Sequence, residues 1–175
     1  MAALPFPDDL TPEQEAVASE VRDARNGRLP DLFRLLLHSP NVAHGWLGLG
    51  TALRYQSSLD EGVREMLICY VSQRRNCPSE VTIHGPLAAA AGVASKALED
   101  LSAWRSSTLL SDAQRAALRL AEAAADGTEP DEDTLASVME TFPPQDVLEI
   151  YALVAYYTAI AQFMNATGLT ARHAG

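Results

Sequence analysis

Apolar residues recur along this chain at three- and four-residue intervals, and nowhere do they alternate with polar ones for long enough to make a strand. The pattern therefore predicts helices from end to end. Thr11-Pro12-Glu13-Gln14 supplies a capping hydroxyl, a proline at the first helical position and a Gln that can reach back, so a helix starts there and runs towards Asn26-Gly27. Pro30 opens a second, short helix whose Leu32, Phe33, Leu35, Leu36 and Leu37 stop at His38-Ser39-Pro40. A third runs from Pro40 to about Arg54 and contains Gly45, Gly48 and Gly50. These glycines predict close helix contact rather than a nucleotide loop, because no strand precedes them and their order is not G-x-G-x-x-G. Ser58-Leu59-Asp60-Glu61 reads as a second capping box, and behind it Val63, Met66, Leu67, Tyr70 and Val71 keep helical spacing as far as Arg75.

Asn76 and Pro78 break the chain and restart it as a helix over roughly Cys77 to Ala91, ended by Gly92. Leu98, Leu101 and Trp104 mark one further short helix. Ser111-Asp112-Ala113-Gln114 caps another that runs to Ala125, and the acidic loop Asp126-Gly127-Thr128-Glu129-Pro130 leads to a helix around Thr134 to Glu140. Pro143-Pro144 launches the long terminal helix, with Gly168 as its stop. From Ile150 to Leu169 no formally charged residue occurs, about the length of a membrane span. Tyr156, Tyr157, Thr158, Gln162 and Asn165 punctuate it, and hydrocarbon offers their polar groups no partners, so it reads as a buried helix, one that a neighbouring subunit could share. The expected fold class is all-α in a single domain, 1–175, with 1–10 and 170–175 as tails.

Composition narrows what such a fold can do. The 175 residues are 47% hydrophobic, 21% charged and only 6% aromatic, which suits packed helices. A net charge of −10 repels a phosphate backbone or an anionic bilayer, and the Arg74-Arg75 pair is too small a basic cluster to override it. No nucleic acid and no membrane are expected as partners. Two cysteines do not make a disulfide scaffold, and no signal-peptide pattern opens the sequence, so a cytoplasmic location is expected.

Candidate chemistry gathers in one place. Cys77, Glu80 and His84 fall on one stripe of the predicted helix, with Ser79 beside it. The helix N-terminus there favours a thiolate at Cys77 and an ionised Glu80, while His84 can exchange protons one turn on. Glu65 lies on the preceding helix, twelve residues before Cys77, and an antiparallel hairpin through Asn76-Pro78 would fold it back to orient the His84 imidazole. The same spacing is satisfied by two solvated glutamates and a hydrogen-bonded core histidine. One His and two Glu with no further ligand rarely hold a metal, so none is expected. Cys69 reads as a small buried hydrophobe, and His38, His44 and His173 receive no role.

Taken together, separated motifs resemble the carboxymuconolactone decarboxylase and alkylhydroperoxidase D-like superfamily across almost the whole chain. They are Leu36-Leu37-His38-Ser39-Pro40, Gly45-Trp46-Leu47, Gly50-Thr51-Ala52-Leu53-Arg54, Val63-Arg64-Glu65-Met66-Leu67-Ile68, Glu80 with His84, Ala91-Gly92-Val93, Trp104, the Ala116 to Ala121 helix, and Phe163-Met164-Asn165-Ala166-Thr167-Gly168-Leu169. The resemblance implies an all-helical fold with a buried helical hairpin, a homotrimer or homohexamer with active sites near subunit contacts, and no metal or organic cofactor. In the peroxidase branch the motif resembles C-x-x-C-x-x-x-H with a Glu twelve residues before the first Cys. Glu65, Cys77 and His84 match it, but Glu80 occupies the second Cys position, and a carboxylate cannot complete a dithiol. The decarboxylase branch usually carries a Glu there, and the chain is more similar to it, although Cys77, Tyr70 and Pro78 depart from that pattern.

The resemblance thus implies a cofactor-free acid/base enzyme, a lyase of decarboxylase type, acting on a small lactone, keto acid or related carbon acid. Glu65, Cys77, Glu80 and His84 form its expected site. The alternatives are a peroxidase using Cys77 as a single peroxidatic thiol, and a non-catalytic oligomeric binding protein.

Overall fold

The computed structural model describes residues 4–169. Residues 1–3 and 170–175, which include His173 and parts of both expected tails, lie outside the described residues. Among the described residues the chain forms nine α-helices and one 3-10 segment, and none of them is in a strand. In chain order the helices are α1 (Pro12–Ala24), α2 (Asp31–Leu36), α3 (Pro40–Tyr55), α4 (Glu61–Arg74), α5 (Pro78–Ala90), α6 (Ser95–Leu98), α7 (Asp112–Asp126), α8 (Glu132–Thr141) and α9 (Pro144–Thr167). The 3-10 segment Leu101–Ser106 lies between α6 and α7. The expected all-α class holds.

Local chemistry sets most of the boundaries. Capping boxes form at Thr11/Gln14 and Ser111/Gln114, with hydroxyl and amide each satisfying the other's backbone N–H. Gly127 and Gly168 adopt the left-handed conformation at the ends of α7 and α9. Three expectations need correction. The cap of α4 is Asp60, whose side chain accepts from the Val63 N–H, and not Ser58. Ser58 is drawn instead to α9, where its hydroxyl donates to Asp146 (2.5 Å) and its N–H to Glu149 (3.1 Å). The segment expected as one helix through Leu98, Leu101 and Trp104 is α6 plus the 3-10 segment, split where the Asp100 side chain accepts from the Ser102 N–H. Nor do Gly45 and Gly48 serve close contact within the chain: a Cβ added at either meets no atom within 4 Å.

The contacts gather in two compact units, the chain to Gln56 with the segment from Phe163, and Ser57–Gln162. In the first, the inward faces of α1, α2 and α3 bury Val17, Val21, Phe33, Leu36, Leu37 and Leu47, and Trp46 meets Phe163 at 5.4 Å between ring centroids. In the second, α4 is the central element. Every residue from Gly62 to Ser72 is buried, so the helix has no solvent face along that stretch. It packs against α5, α7 and the 3-10 segment. α9 is long and apolar enough to cross a membrane by length and composition, and half of that apolar window is buried inside the protein, as in a core helix.

Candidate active site

The α4–α5 hairpin builds the site. Asn76 makes the reversal possible by taking a left-handed conformation (φ 52°), which Asn tolerates better than most residues. The Cys77 N–H then donates to the Ser72 carbonyl at 2.8 Å, fixing the register in which α5 returns along α4. At the far end, Gly62 lets the helices close: a Cβ there would lie 2.9 Å from the Ala91 carbonyl oxygen.

In this register Glu65 and His84 meet. The Nδ1 atom of His84 lies 2.5 Å from Oε2 of Glu65, and both side chains are 3% exposed. One helical turn before His84, Glu80 places Oε2 at 3.5 Å from Nε2, the outer limit of hydrogen bonding. A buried imidazole thus lies between two buried carboxylates, one on each ring nitrogen. Burial pulls the His84 proton affinity down, but the hydrogen bonds and charges of Glu65 and Glu80 outweigh it, so the group sits above the usual histidine value. From α9, Tyr157 stands edge-on to the imidazole with centroids 5.3 Å apart.

Cys77 is the residue the sequence misjudged. It precedes the first turn of α5 as its cap and is buried. Burial pushes its thiol up, the Glu80 charge adds to this, and the N–H groups of Glu80 and Ser79 only partly oppose it. The expectation of a favoured thiolate assumed contact with water that the folded chain does not allow. Cys69 is fully buried as expected, and its thiol is pushed up to about 12 by burial and by the Glu65 and Glu80 charges, which places it within their field.

Sequence reasoning missed two neighbours of the pair. Tyr157 lies 73 residues beyond His84 in the uncharged stretch of α9, where its tertiary contact has no sequence signal. Arg64 adjoins Glu65 in the chain, and its guanidinium is buried beside that carboxylate, Nε 3.7 Å from Oε1. An arginine next to a site glutamate in an otherwise apolar run was the available signal. Among the described residues no three His, Cys, Asp or Glu side chains converge to hold a metal ion.

The chain is similar in sequence and in fold to known proteins. The chain is 31% identical over 147 residues to the uncharacterized protein YnjA of Escherichia coli, an alignment covering 83% of this chain and 76% of that one. A crystal structure of an alkylhydroperoxidase AhpD core, an uncharacterized peroxidase-related protein from Ralstonia eutropha, superposes with a TM-score of 0.78 at 22% identity, covering 96% of this chain and 90% of the other. The debrominase Bmp8, solved as a cysteine-to-alanine variant in complex with 2,3,4-tribromopyrrole, superposes at 0.74 with 18% identity, covering 99% and 92%. A sequence profile of the carboxymuconolactone decarboxylase family matches residues 40–123, the stretch that contains the whole hairpin. With the fold and these matches in agreement, the chain belongs to the carboxymuconolactone decarboxylase family and has a helical fold like that of the AhpD core structure.

Proposed function

We propose that the protein is a cofactor-free acid/base enzyme acting on a small oxygenated carbon acid, a lactone, β-keto acid or cyclic enol. The observation that carries this is the 2.5 Å contact between Glu65 and His84, with Glu80 on the other ring nitrogen. A core histidine needs one partner for each nitrogen, but neutral acceptors would serve, and two buried carboxylates are costly unless their charge is used. In the proposed reaction His84 moves the proton, Glu65 sets its tautomer and orientation, and Glu80 is the second acid/base group. In decarboxylation the C–C bond to the carboxylate breaks, carbon dioxide leaves, and the electron pair passes to the neighbouring carbonyl oxygen. His84 then protonates the resulting enolate carbon. In isomerisation the same imidazole takes a proton from carbon and returns it elsewhere.

The test follows deuterium uptake and product formation by NMR over a panel of lactones and β-keto acids. His84→Gln and Glu65→Gln are expected to lower turnover by about 10²–10⁴-fold, the usual worth of a positioned acid or base, while far-UV circular dichroism stays helical. Undiminished turnover in His84→Gln removes the assignment. We further propose a homotrimer or homohexamer.

A second reading is thiol chemistry at Cys77, favoured by its place at the head of α5 beside Glu80. Bmp8, with its cysteine replaced by alanine and a brominated pyrrole bound, makes a reactive thiol on this fold worth testing. A hydroperoxide would convert the thiol to sulfenic acid with release of an alcohol, and two equivalents of external thiol would restore it with loss of water and formation of their disulfide. This reading predicts a dimedone adduct at Cys77 after hydroperoxide treatment of the native protein. Burial of the sulfur works against it, and no adduct is expected if His84 acid/base chemistry is the activity.

A further inference from the structure

Tyr70 departs from the decarboxylase-branch pattern, and it carries a buried polar atom that the fold leaves unused. The side chain is 3% exposed, and its hydroxyl makes no hydrogen bond. Native folds leave few buried polar atoms unbonded, so one that remains points to a missing partner. Burial pushes the phenol up, which keeps it an O–H donor at neutral pH. Tyr70 lies five residues beyond Glu65, about 1.4 turns of helix, and so faces a different side of α4 from the Glu65–His84 pair. The charges acting on it belong to Arg74 of α4, Arg105 of the 3-10 segment, and Glu122 and Asp126 of α7.

A hollow of about 260 Å³ opens along that seam, lined by Tyr70, Gln73, Arg74, Asp100, Ser102 and Glu122. Its walls are fixed by their own bonds. Gln73 donates to the Leu98 carbonyl at 2.6 Å and accepts from the Leu101 N–H at 2.9 Å. Arg74 pairs with Asp126, and Arg105 with both oxygens of Glu122, so these four charges cancel. Asp100 is left over. It accepts from the Ser102 N–H at 3.1 Å and from the Ser102 hydroxyl at 2.5 Å, and among the described residues no cation meets it. The hollow therefore offers one unbonded donor on its buried side and one uncompensated carboxylate at its exposed rim.

We infer that this hollow is a second binding site, separate from the Glu65–His84 pair, for a small amino alcohol whose oxygen accepts from the Tyr70 hydroxyl and whose ammonium lies on Asp100. The volume falls below the range of roughly 300–1,000 Å³ found for pockets that hold drug-sized ligands, so the occupant is smaller than those. A carboxylate on the ligand would face Asp100 and Glu122 and be repelled. A cation gains from Asp100 what an uncharged diol of the same size does not, and an alkylammonium without oxygen leaves the phenol unbonded. The inference goes beyond the acid/base reading and does not rest on it.

The test titrates the native full-length protein with ethanolamine hydrochloride at fixed pH and ionic strength and follows the backbone amides by nitrogen-15 NMR. Saturable shifts gathered at 70–74, 100–102 and 122 are expected. Ethylammonium and ethylene glycol, which lack the oxygen and the charge in turn, are expected to bind about two- to tenfold more weakly, the worth of one hydrogen bond. Tyr70→Phe removes only the unbonded oxygen, so it is expected to keep the stability of the native protein and to bind ethanolamine no better than the native protein binds ethylammonium. Asp100→Asn is expected to lose the preference for ethanolamine over ethylene glycol. Shifts that stay linear in concentration overturn the inference, as do equal affinities for the three probes or an unweakened Tyr70→Phe. A clear loss of stability in Tyr70→Phe overturns it too, because the hydroxyl would then already be bonded to water held in the hollow.

Discussion

Burial lowers the proton affinity of His84, and Glu65 and Glu80 raise it by more, so the folded value lies above the value of about 6.5 in an unfolded chain. The folded state then binds the proton more tightly than the unfolded state. The stabilisation from this group is complete below about pH 6.5 and is lost as pH rises through the folded value. Urea denaturation at stepped pH is expected to show the native protein losing stability on the alkaline side of 6.5, with that part of the slope missing in His84→Gln. At this scale the sequence was informative where one helix register decides the outcome. Glu65, Glu80 and His84 were legible because a hairpin with a short turn leaves few ways to pair 65 with 84. The state of Cys77 was not, because the helix-terminus argument gives the direction of a field and says nothing about burial, and here burial is the larger effect.

Among the elements, α4 sets the geometry of everything around the site. Its burial along the stretch from Gly62 to Ser72 means that its neighbours, and not its amphipathicity, fix its rotation. Gly62→Ala is expected to destabilise the fold by about 1–3 kcal/mol, since the new methyl would press on the Ala91 backbone oxygen, and neither helix can yield without moving the hairpin. Chemical denaturation measures this, and an unchanged midpoint would mean that α5 gives way freely. Helix ends were readable where a cap is local, as at Thr11, Ser111 and the glycines after α7 and α9. The start of α4 was misplaced by two residues because its serine answers to Glu149, 91 positions away, where a distant carboxylate competes with the local cap. Gly45 and Gly48 of α3 were misread for the opposite reason, since a small residue at helical spacing marks a possible approach that these two positions do not make.

At the scale of the molecule, several large apolar side chains are exposed. Leu148 on α9 is 68% exposed, and Leu135 and Met139, one turn apart on α8, are 40% and 46% exposed. A second copy of the chain is the occupant that the proposed homo-oligomer supplies for such positions. Sedimentation is expected to give a mass several times 18.8 kDa for the native protein. In Leu148→Glu it is expected to fall towards that of one chain, because the substitution puts a charge where the proposed assembly would bury an apolar side chain. A native protein that sediments as a single chain at all concentrations rejects the oligomer. The class of fold was legible from periodicity alone, since a two-residue pattern is absent and helix signals recur throughout. The division of contacts into two units was not, because both stretches are helical and no change of composition separates them.

Pro86 lies inside α5, two residues past His84, and a proline has no N–H to give. The carbonyl of Thr82 therefore lacks its usual rung, and the turn bearing the imidazole is held by one bond fewer than its neighbours. A group so fully enclosed needs some route by which solvent or a reactant reaches it, and the weakest seam of its helix runs past its own side chain.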